Sequence, residues 1–399
     1  MDRRGVIAYL LILQTLLLSA ILHAPWSEPS LYTDILGAYW RDFAAAGRIP
    51  YLDKDPYGEP FEYPYLAAGV SLLCSSFGGG LTGFYIAYSL VVMAFGILLA
   101  YCALKFKNGP LTLICLAAPS LIVYGIYGYD VIMAALTALA ILLYIGRRYT
   151  LSGIVLALSA HVKFYSVIFL PYALIDLKGR DRLRFLAAFA ITYLAPVAAL
   201  PSAFIDLVKF HSSWGIEAAW YIFLFPDAAH PVMRLTNIPP DMMASIRAAQ
   251  VFGYAIFILL YLHVLGLKTS PEKFMALSLM AYFMGTPRYS PQSNILFLPF
   301  LASVIDVRAA PFFILWEAAN ASVIMTWFAS SAPHLPWQPP QIAALIRFIG
   351  LAMMFVSAET MLGAIRIRIP KKVRKGIDCL LYTSPSPRDL STSRMPSSA

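Results

Sequence analysis

Seven stretches of this chain contain no Asp, Glu, Lys or Arg: 5–27, 63–104, 108–129, 185–205, 248–267, 289–305 and 318–346. A helix that crosses the hydrocarbon core needs about 17–25 mostly apolar residues, so each run is long enough and two have room for more than one crossing. Inside a bilayer the backbone must satisfy its own hydrogen bonds, which helices do. The remaining composition agrees. Of 399 residues, 60% are hydrophobic and 13% charged, against about 45–50% and 25% in soluble domains. Disorder is excluded by the same numbers. A disulfide-stapled secreted domain is excluded because, of 4 cysteines, Cys74, Cys102 and Cys115 lie in apolar runs as small core residues. The expected fold class is an all-α polytopic membrane protein of about ten to twelve transmembrane helices, with interfacial helices in the first outer loop.

The net charge of +9 needs no nucleic-acid partner, because Lys and Arg concentrate in cytoplasmic loops of membrane proteins. Lys178, Arg180, Arg182 and Arg184 form one such cluster, and Arg366, Arg368, Lys371, Lys372, Arg374 and Lys375 another. Counting spans between them places 202–247, 288–292 and 331–340 outside, and 268–273 and 306–308 inside. Arg3 and Arg4 inside place 25–62 outside, and the first helix reads as uncleaved. Three polar segments near 25–62, 202–247 and 288–292 thus share the non-cytoplasmic side. Between 64 and 175 two counts compete. Five crossings put Lys105, Lys107, Arg147 and Arg148 outside, against the trend. Three crossings, with 64–77 in the interface and one re-entrant segment, obey it.

Residues 25–62 are too many for a simple connector. Within them 33–47 has helix character, with Asp34 near its start, Gly47 as C-cap and an apolar set suited to the membrane surface. The loop 202–247 also reads as interfacial. One transmembrane domain is expected over 1–375. The Ser- and Pro-rich stretch 376–399 reads as a disordered or non-native tail.

No Walker A loop, GxSxG elbow, HExxH or CxxC occurs, so the chemistry must rest on polar residues of outer loops and spans. On local sequence alone Asp34, beside Tyr32, Tyr39 and Trp40, suits an N-cap or an exposed helix charge first, and a general base toward a hydroxyl second. Glu62 is a similar carboxylate ahead of Pro64. Asp130 lies at the edge of a span. Lys163 suits a phosphate or an interface anchor, and His161 a packing role. Glu317 and Asn320 suit helix-on-helix contacts. The block 285–300, with Arg288, Ser290, Pro291 and Gln292, is a Pro-broken helix entry on the outer side that suits a phosphate or, about equally, an interfacial arginine anchor.

In this order, these pieces resemble the GT-C superfamily of integral-membrane glycosyltransferases. The closest branch is that of the polyprenyl-phosphate-mannose-dependent mannosyltransferases, including actinobacterial phosphatidylinositol-mannoside enzymes and, more remotely, the first GPI-anchor mannosyltransferase. The resemblance covers roughly 5–310. It rests on Thr33-Asp34-Ile35, Pro50-Tyr51, Glu62-Tyr63-Pro64, the stretch 127–171 and Ser290-Pro291-Gln292. Phe210-His211 and Gly215-Ile216-Glu217 match a further pattern in part. Ser166 and Trp214 stand where the family usually has Pro and Arg.

The resemblance implies an inverting transfer of mannose or another hexose from a polyprenyl-phosphate donor to a lipid or glycan acceptor, at the outer face of the cell membrane. Asp34 would be the catalytic base. Glu62, Asp130, Lys163, His211, Arg288 and Gln292 would contact substrate, with membrane lipids as surroundings and no nucleic acid. No spacing points to a metal-ligand set, so no cofactor is obligatory. A transporter or flippase of lipid-linked saccharides is the alternative, though no internal repeat supports it. A non-catalytic membrane subunit is the third reading.

Overall fold

The structure is a computed structural model that describes residues 3–27, 30–229 and 239–363. The second basic cluster and the expected tail lie outside these. The described chain is helical with no strands, an all-α polytopic membrane protein. Six helices are long and apolar enough to cross a membrane, and shorter apolar helices accompany them.

In chain order, α1 (Arg3–Leu22) leads to the first loop, which carries a π-helical segment, Ile35–Ala44. Then come α2 (Tyr65–Ser76), α3 (Gly80–Phe106), α4 (Pro110–Leu116) and α5 (Pro119–Tyr124). Next are α6 (Asp130–Ile145), α7 (Tyr149–Ala160), a 3-10 turn Phe164–Phe169 and α8 (Leu170–Asp176). The second half holds α9 (Gly179–Ala199), α10 (Pro201–Ser213), α11 (Pro240–Gly266) and α12 (Pro271–Gly285). A 3-10 turn Pro291–Leu296, α13 (Leu298–Leu301), α14 (Ala310–Trp327) and α15 (Pro339–Met361) complete it. Pro110, Pro119, Pro201, Pro240, Pro271 and Pro339 each open a helix. Proline's fixed φ suits the first turn, and its missing N–H costs nothing there.

Helices α6 and α12 are buried along almost their whole length, whereas α9 and α11 bury few residues and form the apolar periphery. Helices α11 and α12 cross at Gly253 and Gly285. A Cβ on Gly285 would meet the Gly253 carbonyl oxygen at 2.4 Å, and one on Gly253 would meet the Gly285 oxygen at 2.2 Å. Such backbone-to-backbone approach is the small-residue packing of membrane helices.

The apolar set read from 33–47 exists, but its partner is protein. Tyr39 and Trp40 pack on Phe84 of α3, with centroids 5.3 and 5.1 Å apart, and Phe43 on Phe61 at 5.4 Å. Gly47 follows with φ +67°, as a helix-terminating glycine does.

Of the two counts for 64–175, the structure follows the arrangement with three crossings, by α3, by α4 with α5, and by α6. Helix α2 has both ends at one end of the bundle, since the Leu66 amide donates to the His161 carbonyl at 2.8 Å and Ser75 bonds the Tyr39 hydroxyl at 2.9 Å. The re-entrant segment is two half-length helical pieces, α7 and the 3-10 turn with α8, joined at His161–Lys163. Tyr88 of α3 donates to the Gly128 carbonyl at 2.8 Å, and α3 and α6 run on side by side from there. Lys105 and Lys107 therefore finish level with Arg147 and Arg148. Tyr144 donates to Asp176 at 2.7 Å, which brings Lys178–Arg184 to that same end. All these basic residues lie at the end of the bundle away from Asp34. The five-crossing count fails because the short helix α2 and the turned-back pair at 149–176 each look like a full apolar span in sequence.

Candidate functional site

At the opposite end, the first loop, α10, the 210–225 loop and the 286–292 turn enclose a cavity of about 1120 Å³. Asp34, Glu62, Lys163, His211, Arg288 and Gln292 all line it, together with Glu217, Trp214 and the aromatics Tyr32, Tyr63, Tyr127, Tyr254 and Tyr282. A convergence of polar groups in a partly apolar cleft is the usual form of a small-molecule site.

Asp34 precedes the π-helical segment and is fixed by its neighbour. Thr33 Oγ1 donates to the Tyr127 carbonyl at 3.0 Å and accepts from the Ile35 amide at 3.1 Å. The Tyr63 hydroxyl donates to Asp34 Oδ2 at 2.7 Å. Burial raises the Asp34 pKa, while Tyr63 and the Lys163 charge hold it down. Glu62 is pushed up to about 8, first by burial and then by the Asp34 charge, against the pull of Arg288 and Lys163. Two carboxylates in one dry cleft resist ionising together. Glu217 is raised by burial as well, and Arg288 counters it.

Lys163 reaches the cavity because the chain is extended there, at the break between α7 and the 3-10 turn. Its Nζ donates to both carboxylate oxygens of Asp130, at 2.8 and 2.7 Å, and lies 5.5 Å from the Tyr63 ring centroid. Asp130 is 0% exposed. It does not line the cavity and bears on it by compensating Lys163 and by its charge, which pushes the Asp34 pKa up. A buried cation needs such a partner.

Arg288 Nη2 donates to His211 Nδ1 at 2.7 Å, and His211 Nε2 is 2.9 Å from the Glu62 carbonyl. An arginine only donates, so Nδ1 is the acceptor and the proton sits on Nε2, where it donates to the carbonyl. Burial and the Arg288 charge hold the His211 pKa down, to about 3. His211 is thus a neutral bracket between Glu62 and Arg288. The Arg288 guanidinium carbon stands 3.9 Å from the Trp214 ring centroid, a cation–π stack.

The backbone of Arg288 is joined to that of Glu217. The Glu217 amide donates to the Pro287 carbonyl at 3.0 Å, and the Tyr289 amide to the Glu217 carbonyl at 3.1 Å. Two loops remote in sequence therefore form one strip that presents a carboxylate and a guanidinium side by side.

His161 does not line the cavity and stacks on Tyr193 with centroids 4.8 Å apart. Glu317 accepts from the Ser120 amide at 2.7 Å and its hydroxyl at 2.9 Å, and Asn320 donates to Ser120 Oγ at 2.9 Å. Both are helix-on-helix contacts.

Sequence reasoning singled out neither Tyr63 nor Glu217 as site residues, although both stand in motifs that carry the resemblance. It passed over Trp214 as a mere departure. The available signal for Glu217 was a carboxylate set among apolar residues and close to two tryptophans. Among the described residues, no group of three or more His, Cys, Asp or Glu side chains is placed to hold a metal ion.

The arrangement supplies a desolvated carboxylate held by a phenol, two cations at the same cavity and flat aromatic faces. That set can take a proton from a hydroxyl and stabilise an anion developing next to it. Comparisons with protein-family models and with curated protein sequences match this chain to none.

Proposed function

We propose that this protein is an inverting hexosyltransferase of the GT-C type, by resemblance a mannosyltransferase, using a polyprenyl-phosphate-sugar donor. Its site faces the non-cytoplasmic side of the cell membrane. The observation that carries this reading is that the Asp34 carboxylate and the Arg288 guanidinium line one cavity, with Lys163 as a second cation there.

In the transfer, the acceptor hydroxyl oxygen attacks the anomeric carbon and forms the new glycosidic bond. The bond from that carbon to the phosphate oxygen breaks, and its electron pair leaves with the phosphate. The acceptor proton passes to Asp34. A phosphate leaving group needs no general acid but does need positive charge, which Arg288 and Lys163 provide. The neutral His211 holds Arg288 without competing for the anion. The aromatic faces suit the apolar faces of a sugar ring.

The test is transfer of labelled mannose from polyprenyl-phosphate-mannose by the purified protein in lipid. Wild type forms glycosylated product, and Asp34→Asn folds but forms none. Normal turnover by Asp34→Asn sinks the role of Asp34. Substrate uptake into liposomes without a glycosylated product supports a transporter instead.

A further inference from the structure

The last helix carries an arginine where an apolar span should have none. Arg347 is preceded by Ala343-Ala344-Leu345-Ile346 and followed by Phe348-Ile349-Gly350 in α15. It is 0% exposed. Charge inside a span is costly and persists where it does a job. Among the described residues no carboxylate forms an ion pair with it, although the Glu217 charge acts on it from a distance. Its hydrogen-bond acceptors are oxygens of neutral groups: Nη1 donates to Asn320 Oδ1 at 2.7 Å, and Nη2 donates to the Ala218 carbonyl at 2.9 Å and the Tyr289 carbonyl at 2.6 Å. Its guanidinium carbon lies 3.7 Å from the Tyr289 ring centroid.

Those two carbonyls identify the job. Ala218 directly follows Glu217, and Tyr289 directly follows Arg288. One nitrogen therefore grips both edges of the strip that presents Glu217 and Arg288 to the cavity. Ala218 is held at φ +50°, a left-handed conformation that is unfavourable for an alanine and needs surrounding contacts to persist. Asn320, the third partner, also donates to the Pro291 carbonyl at 2.9 Å, which ties the same guanidinium to the turn bearing Gln292. Arg347 itself does not line the cavity.

We infer that Arg347 is a positioning residue that sets the aim of Arg288 at a donor phosphate, by clamping the backbone on which Arg288 and its neighbour Glu217 are mounted. This rests on the proposal that the cavity takes a polyprenyl-phosphate donor. The planar fork suits the task because a single group must serve three acceptors in fixed directions. A lysine ammonium at this site cannot reproduce that geometry.

The experiment measures binding of polyprenyl phosphate to the full-length protein in nanodiscs, together with kcat and KM for transfer. The variants are Arg347→Met, Arg347→Lys, Arg288→Met and the double variant Arg288→Met/Arg347→Met. Melting temperature and monodisperse elution report folding. Expected are a loss of affinity of about ten-fold or more in Arg347→Met, as befits unmade buried hydrogen bonds, and a smaller loss in Arg347→Lys. Once Arg288 is gone, removing Arg347 should cost little further affinity. Independent structural defects would instead add. Folded Arg347→Met that binds like wild type, or additive losses in the double variant, overturns the inference alone. Should Arg347→Met fail to fold, Arg347→Lys decides, and wild-type affinity there overturns it. A wild-type protein that does not bind polyprenyl phosphate overturns the donor assignment and this inference together.

Discussion

The Tyr63 hydroxyl donates to Asp34 Oδ2 at 2.7 Å, while the Lys163 ammonium lies 5.5 Å from the centroid of the same tyrosine ring. Tyr63 therefore stands between the carboxylate assigned to the acceptor proton and a cation assigned to the phosphate. Tyr63→Phe removes one hydrogen bond to a charged group, worth about 1.5–3 kcal/mol. Transfer should fall by about ten- to a hundred-fold, with the protein folded and the donor still bound. Unchanged turnover in Tyr63→Phe would remove Tyr63 from the site's machinery.

The base must be ionised to act, and burial raises the pKa of Asp34. Transfer should therefore fall on acidification, with an acid limb above the ordinary aspartate value of about 4. Glu62, pushed up to about 8, is protonated and uncharged over that limb, so Glu62→Gln, which mimics the neutral acid, should leave the limb in place. A pH–rate profile of both proteins checks this, and a limb that Glu62→Gln moves to lower pH contradicts it.

The same carboxylates make stability depend on pH. Glu62 moves from an ordinary 4.5 to about 8 in the folded protein. Between those values the folded state holds the proton more tightly than the unfolded one. Its contribution is present in full below 4.5 and is lost as pH rises through 8. His211, lowered from 6.5 to about 3, acts in the opposite sense, but only below 6.5. The melting temperature of the ligand-free protein should thus fall from pH 6.5 to 8, and Glu62→Gln should flatten the slope.

Lys163→Met leaves Asp130 buried without its cation and should destabilise by about 3–5 kcal/mol. Adding Asp130→Leu removes the orphan charge, so the double variant should regain most of that stability. Transfer should stay impaired in both, because the cavity has lost a cation. Thermal unfolding and transfer assays on the two variants separate these effects.

Gly285→Val places a branched side chain where a Cβ alone already meets the Gly253 oxygen at 2.4 Å and the Phe257 amide nitrogen at 2.6 Å. The clash is with backbone, which cannot swing aside as a side chain can. The variant should express poorly or melt well below wild type, whereas Gly69→Val, where nothing lies within 4 Å, should not.

Fold class was legible because unbroken apolar runs leave a chain few choices. The site was legible where a polar residue interrupts an apolar context, as Asp34, Lys163 and Arg288 do, since such interruptions are costly. Two things were hidden. Register along the bundle was one: α7 and the 3-10 turn with α8 merge in sequence into one apolar stretch, and only the packing against α6 and α9 separates them. The other was mutual orientation. Glu217 meets Arg288 through backbone pairing across more than seventy residues of chain, and no local pattern announces that. Asp34, on a surface helix of the first outer loop, and Asp130, at a span edge, both read in sequence as possible site acids, yet Asp130 is sealed behind Lys163 and Asp34 faces the cavity.

The short helix before Lys163 sets the depth of the cavity. Helix α7 has 12 residues, about 18 Å at 1.5 Å per residue, against a hydrocarbon core of about 30 Å. It is packed between α6 and α9, with only Thr150 and Leu151 exposed, so protein and not lipid covers its far end. His161 at that end stacks on Tyr193 of α9, and α9 runs on to Ala199. Lys163 therefore sits sunk below the ends of its longer neighbours, and the charged head of the proposed lipid donor would have to descend past them to meet it.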